Sequence, residues 1–144
     1  MKYKYLFLLT FLSVLIIASC KNKNADISIQ EKEFKSLPID FQEFYTKFHS
    51  DTSYQFMHVT FPMQGHIIHK HPEGDTIESV TWTKKNWRIH TRFDTSNKAF
   101  KQTFQTVSDN AILESITGLE GMFKIEKRYA KLSDGWNLIY YSQQ

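Results

Sequence analysis

Histidine, tryptophan, arginine and carboxylate side chains gather in three short stretches of this 144-residue chain, and each suggests a different chemistry. The first is His66, His69 and His71, followed by Glu73 and Asp75. Imidazole with carboxylate suits zinc, copper or nickel. An extended strand restricts the idea: positions 69 and 71 share a face about 7 Å apart, while His66 points the other way. His69 and His71, with a turn carboxylate, are therefore the candidate metal ligands, and no closed four-ligand zinc set can be assembled around them. The plainer reading is a solvated hairpin arm rich in histidine.

The second stretch is Trp82, Trp87, His90, Arg92 and Asp94. Two indoles supply apolar contact area, Arg92 would pair with an anionic ligand, and His90 with Asp94 would form an acid–base pair. If the segment is extended, period two places His90, Arg92 and Asp94 on one side. The third is Lys124, Glu126 and Arg128, where a buried Glu126 would become a general base with a shifted pKa. A solvated charge ladder is its plainer reading. Trp82, Trp87, His90, Arg92, Asp94 and Glu126 are thus the candidate pocket residues. No nucleophile elbow places a serine beside a histidine, and Gly118-Leu119-Glu120-Gly121 is too sparse for a phosphate loop. No residue is assigned as catalytic and no cofactor is expected.

These side chains need elements to hold them. Asp40 with Glu43 predicts a capped helix start, and Phe41, Phe44, Tyr45 and Phe48 recur at i, i+3, i+4 and i+7 on a helix ending near Ser50. Such an aromatic stripe is read as the face that docks on a sheet. Strand periodicity follows: Phe56–Pro62, His66–His71, Thr76–Trp82, Phe100–Val107, Ala111–Gly118, Met122–Leu132 and Trp136–Ser142. Pro72-Glu73-Gly74-Asp75 and Ser133-Asp134-Gly135 join two of these pairs as hairpins. Thr83 opens a short turn, Trp87–Phe93 is left open between strand and helix, and Thr95-Ser96-Asn97 is a loop. In the last pair Phe123, Ile125 and Tyr129 alternate with charged residues, while Trp136, Leu138 and Tyr140 share one face. The expected architecture is one α+β domain over 37–144, a helix packed on a curved, mostly antiparallel sheet.

The N-terminus carries a different message. Met1 to Tyr5 holds two lysines, Leu6 to Ala18 is almost wholly apolar, and Ile17-Ala18-Ser19-Cys20 resembles a bacterial lipobox. The run is short for a membrane span, which needs about 20 apolar residues. Residues 1–19 read as a lipoprotein signal peptide and Cys20 as the lipid anchor, carrying a thioether-linked diacylglycerol and an amide-linked acyl chain. At about 0.8 kcal/mol per buried methylene such an anchor is effectively permanent. Residues 20–36 then form a polar tether, about 20–24 Å as a coil. Lys21 favours the outer membrane over the inner one of a bacterial cell envelope.

With the only cysteine acylated, no thiol remains for a disulfide, a redox pair or a nucleophile. Lys2 and Lys4 belong to the signal segment, so 16 basic residues face 15 acidic ones beyond it, which excludes a basic nucleic-acid footprint. The expected partners are the membrane, through Cys20, and a small molecule or protein in the envelope.

Several motifs occur in a familiar order: Phe44-Tyr45, Phe48-His49, Asp51, Tyr54-Gln55, Phe61-Pro62, Gly65, Trp82-Thr83, Trp87, Phe123 to Tyr129, and Trp136 to Tyr141. Together they resemble a family of lipoproteins from Bacteroides-like bacteria, domain of unknown function 4348, from about Phe41 to the C-terminus. The resemblance implies an NTF2-like, or cystatin-like, fold with a conical pocket. It carries no assigned activity, and the fold hosts enzymes and binding modules alike. The leading expectation is a non-catalytic binding or interaction domain displayed on a membrane. Its rivals are an enzyme using His90, Asp94 or Glu126, and a metal-handling protein using His69 and His71.

Overall fold

The computed structural model describes residues 30–118 and 120–144. The expected signal peptide, the lipobox-like segment with Cys20, and the first part of the expected tether lie outside the described residues. Residues 30–35, read above as tether, are helical, and Phe34 packs against Tyr45 and Phe104 at ring separations of 5.3 and 5.6 Å. One isolated aromatic in a polar segment is enough to dock it, because a single ring buries roughly 150 Å² or more.

Helix α1 spans Ile39–Phe48 and α2 spans Thr52–Met57. The α1 stripe is buried as its spacing requires: Phe41, Phe44, Tyr45 and Phe48 all face the core. Its start differs from expectation. Pro38 occupies the cap position, and its carbonyl accepts the Gln42 N–H, because the fixed proline φ leads into a helix without strain. Asp40 falls in the first turn instead, where its carboxylate accepts from the Phe41 N–H and pairs with Lys131. The residues expected to be extended from Phe56 form, in part, the end of α2. Asp51 caps that helix by accepting the Tyr54 N–H at 2.9 Å, a side-chain effect that periodicity over a short apolar run does not reveal.

Six strands follow: β1 Met63–His69, β2 Thr76–Trp82, β3 Phe100–Ser108, β4 Ala111–Gly118, β5 Lys124–Leu132 and β6 Gly135–Gln143. They form one sheet in the order β2-β1-β6-β5-β4-β3. All neighbours are antiparallel except β1 and β6, which run parallel from Gly65 beside Tyr141 to Ile67 beside Gln143. The sheet is curved, and α1 lies in its concavity: Phe41 meets Tyr129 and Trp136 edge-on at 5.3 and 5.0 Å. This is the expected α+β architecture.

One irregularity redirects side chains. Arg128 pairs with Tyr140 but Tyr129 pairs with Leu138, so Ile139 is an extra residue in β6. A bulge of this kind shifts the alternation by one. Trp136 and Leu138 face the core before it, and Tyr141 does so after it. Tyr140, expected to share the face of Trp136 and Leu138, therefore lies outward.

Candidate functional site

Between β2 and β3, residues 83–99 form neither helix nor strand. The Thr83 carbonyl accepts from the Asn86 and Trp87 N–H groups, making the anticipated turn. The rest of the loop is held by a residue on α2. Gln55, completely buried, donates to the His90 and Phe48 carbonyls at 2.8 Å each, and its own carbonyl oxygen accepts from the His90 N–H at 2.9 Å and the Trp87 indole at 3.3 Å. One amide thereby satisfies both backbone groups of His90, which a buried loop otherwise leaves unpaired at about 1–3 kcal/mol each.

The pinned loop lays Trp87 and His90 against β2 and β6. His90 stacks on Trp87 at 4.7 Å with 10° between planes, and meets Tyr141 edge-on at 4.8 Å. Trp82 stands across both, 6.1 Å from Trp87 and 5.5 Å from Tyr141, near perpendicular to each. Its indole N–H donates to the Tyr141 carbonyl at 3.3 Å. That approach requires Gly65 beneath it, since a Cβ there would stand 1.9 Å from the Tyr141 oxygen and 2.6 Å from the indole nitrogen. These rings, with Ile67 and Arg88, line a groove of about 330 Å³, within the size range of small-molecule sites. Burial, and then the charge of Lys127, push the His90 pKa down to about 3, so its imidazole is neutral. Burial pushes the Tyr141 phenol up to about 12.

Three of the six expected pocket residues thus meet, and three do not. Arg92 is exposed in the loop, with its guanidinium 4.9 Å from the Phe34 ring. Asp94 accepts from the Ser96 N–H at 2.9 Å and does not pair with His90. Both depart from expectation because 87–93 is not a strand, so period two does not apply. Glu126 lies on the opposite face of the sheet. Ile125, Lys127 and Tyr129 take the concave face of β5, which leaves Glu126 to Arg128 at 2.7 Å and Lys124 at 3.4 Å. Arg128 in turn covers the Tyr140 ring at 4.4 Å.

The histidine arm comes apart in a similar way. His69 ends β1 and bonds Glu78 across the hairpin at 3.1 Å, His71 lies beyond the strand, and Asp75 pairs with Lys70 at 3.3 Å. Among the described residues, no three His, Cys, Asp or Glu side chains are grouped to hold a metal.

Sequence reasoning missed a second polar constellation in the concavity. Glu114 of β4 is fully buried. Its Oε1 accepts from the Tyr45 hydroxyl at 2.8 Å and the Gln102 amide at 2.6 Å, and its Oε2 from the Tyr129 hydroxyl at 2.7 Å. Buried Lys127 completes the set, 3.3 Å from Oε2. Burial opposes ionisation of Glu114, but the Lys127 charge and these hydrogen bonds outweigh it and hold the carboxyl below its ordinary value. Burial, and then Glu114 itself, raise both tyrosines well above theirs. The His49 ring lies 4.2 Å from that of Tyr45, tilted by 46°, and its Nδ1 donates to the Tyr45 carbonyl at 2.9 Å. Burial and then Lys127 lower its pKa to about 4, so it too is neutral. The available signal was a lone glutamate at an inward position of β4 and a lone lysine at one of β5.

With this geometry in hand, similar proteins are informative. A family model described only as "-like" matches residues 39–129, more than half of the chain. The chain belongs to that family. No curated protein matches it. Among solved structures, it resembles an NTF2-like protein from Bacteroides fragilis at 16% identity and a TM-score of 0.52. The match covers 73% of this chain and 46% of that one, so the chain spans about half the length of that relative. It also resembles a cystatin-like protein from Bacteroides caccae at 18% identity and a TM-score of 0.54, covering 71% and 74% of the two chains. The fold is therefore NTF2-like.

Proposed function

We propose that this protein is a lipid-anchored lipoprotein of a bacterial envelope, of the domain of unknown function 4348 type, whose NTF2-like domain binds a small ligand rather than transforming one. The observation that carries the binding reading is the groove of Trp82, Trp87, His90 and Tyr141, whose walls are fixed by Gln55 and by the β1–β6 pairing. A held aromatic wall binds with little ordering cost. The enzymatic alternative is disfavoured by the company its acids keep. Glu114 is ringed by four donors, Asp94 is bonded within its own turn, and Glu126 is paired with Arg128. None of the three lines the groove, where a general base would have to reach a substrate proton.

The lipobox residues Ile17-Ala18-Ser19-Cys20 support the anchor. A Cys20→Ala variant is expected to lose acyl labelling and leave the membrane fraction; continued membrane association would overturn the anchor. For the binding reading, native mass spectrometry of protein taken from bacterial envelopes is expected to find a small molecule. That adduct is lost when Gln143→Trp fills the groove, and an adduct indifferent to this substitution would place the site elsewhere.

A further inference from the structure

The groove carries one charge. Arg88 stands in its lining beside the aromatic rings, and no carboxylate joins it there. Ion pairs among the described residues engage Lys35, His69, Lys70, Lys124, Lys127, Arg128 and Lys131, and none engages Arg88. The nearest acid by register is Glu78, directly across from Ile67, and it is committed to His69. His90 adds aromatic surface without adding charge. The remaining polar groups of the lining, Asn86 and Gln143, are also engaged. Asn86 bonds Thr83 and the Thr81 carbonyl, and the Gln143 amide oxygen accepts from Tyr141.

Resting on the reading of this groove as a ligand site, we propose that its ligand is a flat, ring-bearing molecule carrying one anionic group, a carboxylate, sulfonate or phosphate, which pairs with Arg88 while the ring lies against Trp82 and His90, the half-buried rings of the lining, with Trp87 and Tyr141 packed behind them. A guanidinium presents its N–H donors in a planar fork that matches such oxyanions in two parallel bonds. The Trp82 indole and the His90 imidazole supply dispersion and edge-to-face contact to the ring. A cationic ligand would meet Arg88 with no carboxylate in the lining to offset it. A large flexible chain exceeds a space of about 330 Å³. The expected cation of this site, Arg92, is thus replaced by Arg88, four residues earlier on the same loop.

Calorimetric titration of the full chain in detergent, against blank titrations into empty micelles, separates the two layers of this inference. The probes are naphthalene-2-sulfonate and the uncharged 2-naphthalenemethanol. The sulfonate is expected to bind at least tenfold more tightly, Arg88→Gln to remove that advantage without changing the alcohol, and Gln143→Trp to weaken both. Equal binding of the two probes, or a sulfonate preference that persists in Arg88→Gln, would overturn the anionic ligand while leaving the groove in place. If neither probe binds, or neither responds to Gln143→Trp, the groove itself falls as the ring site. Gln143 is exposed at the end of β6, so that substitution leaves the core intact.

Discussion

Two aromatic-walled regions sit on the same sheet, and they treat polar groups in opposite ways. Beneath α1, Glu114 and Lys127 are sealed among Tyr45, Gln102 and Tyr129, and every carboxylate oxygen has at least two partners. At the groove, Arg88 lies beside Trp82, Trp87 and Tyr141 without a carboxylate. The first arrangement balances its charges internally, as a buried pair must to offset desolvation. The second leaves its charge unbalanced at an exposed position. A perturbed carboxylate is often a sign of a functional site, yet that of Glu114 has both oxygens engaged inside the core. The groove instead brings together aromatic rings and one arginine.

Removing the interior carboxylate should have the largest effect. Glu114→Ala leaves Lys127 buried without a counter-charge, an expected loss of about 3–5 kcal/mol in urea unfolding. Adding Lys127→Met should recover part of it; a Glu114→Ala loss below about 1 kcal/mol would mean that the pair is not sealed. Acid comes next. The unfolded histidines take up protons below about 6.5, whereas folded His49 and His90 resist until about 4 and about 3. Stability should therefore fall as pH drops from 6.5 toward 4, by up to about 1.4 kcal/mol per pH unit for each group. Glu114, held below its ordinary value, adds a loss of the same sign as pH falls from that ordinary value through its folded one. Unfolding curves at several pH values should show a shallower slope for His49→Gln and His90→Gln above pH 5; an unchanged slope would refute their burial as neutral groups.

Gly65→Ala strikes the groove region alone. The added methyl collides with the Tyr141 carbonyl and the Trp82 indole, costing about 1–3 kcal/mol and shifting tryptophan emission while the acid dependence persists. Loss of that acid dependence as well would show the two regions to be one cooperative network. Smallest of all is Arg128→Ala on the outer face, where an exposed pair contributes less than about 1 kcal/mol. A larger loss would assign Glu126 a role that its position denies.

Much of this frame was legible in the chain. The α1 stripe, both hairpin turns and the four strands from Phe100 onward lie where periodicity places them, because helix and strand spacing are local properties. Half of the expected pocket, Trp82, Trp87 and His90, was legible as well. Arg92 and Asp94 were misplaced because period two was extended into a loop, whereas Glu126 takes the outer, charge-ladder position that alternation along β5 gives it. Tyr141 was hidden by the bulge at Ile139, which exchanges it with Tyr140.

By itself, then, the sequence determined residue chemistry and local period: which segments coil or extend, and that aromatics rather than aliphatics would fill the domain. Only the tertiary structure decided which of those aromatics are sealed in the core and which, like Trp82, reach its edge. Tyr45 reaches Gln102 across 57 positions and Glu114 across 69, and Gln55 reaches His90 across 35. Such contacts depend on how the sheet bends, where its register shifts fall and how the helices lie in the concavity, and no window of neighbouring residues contains that information.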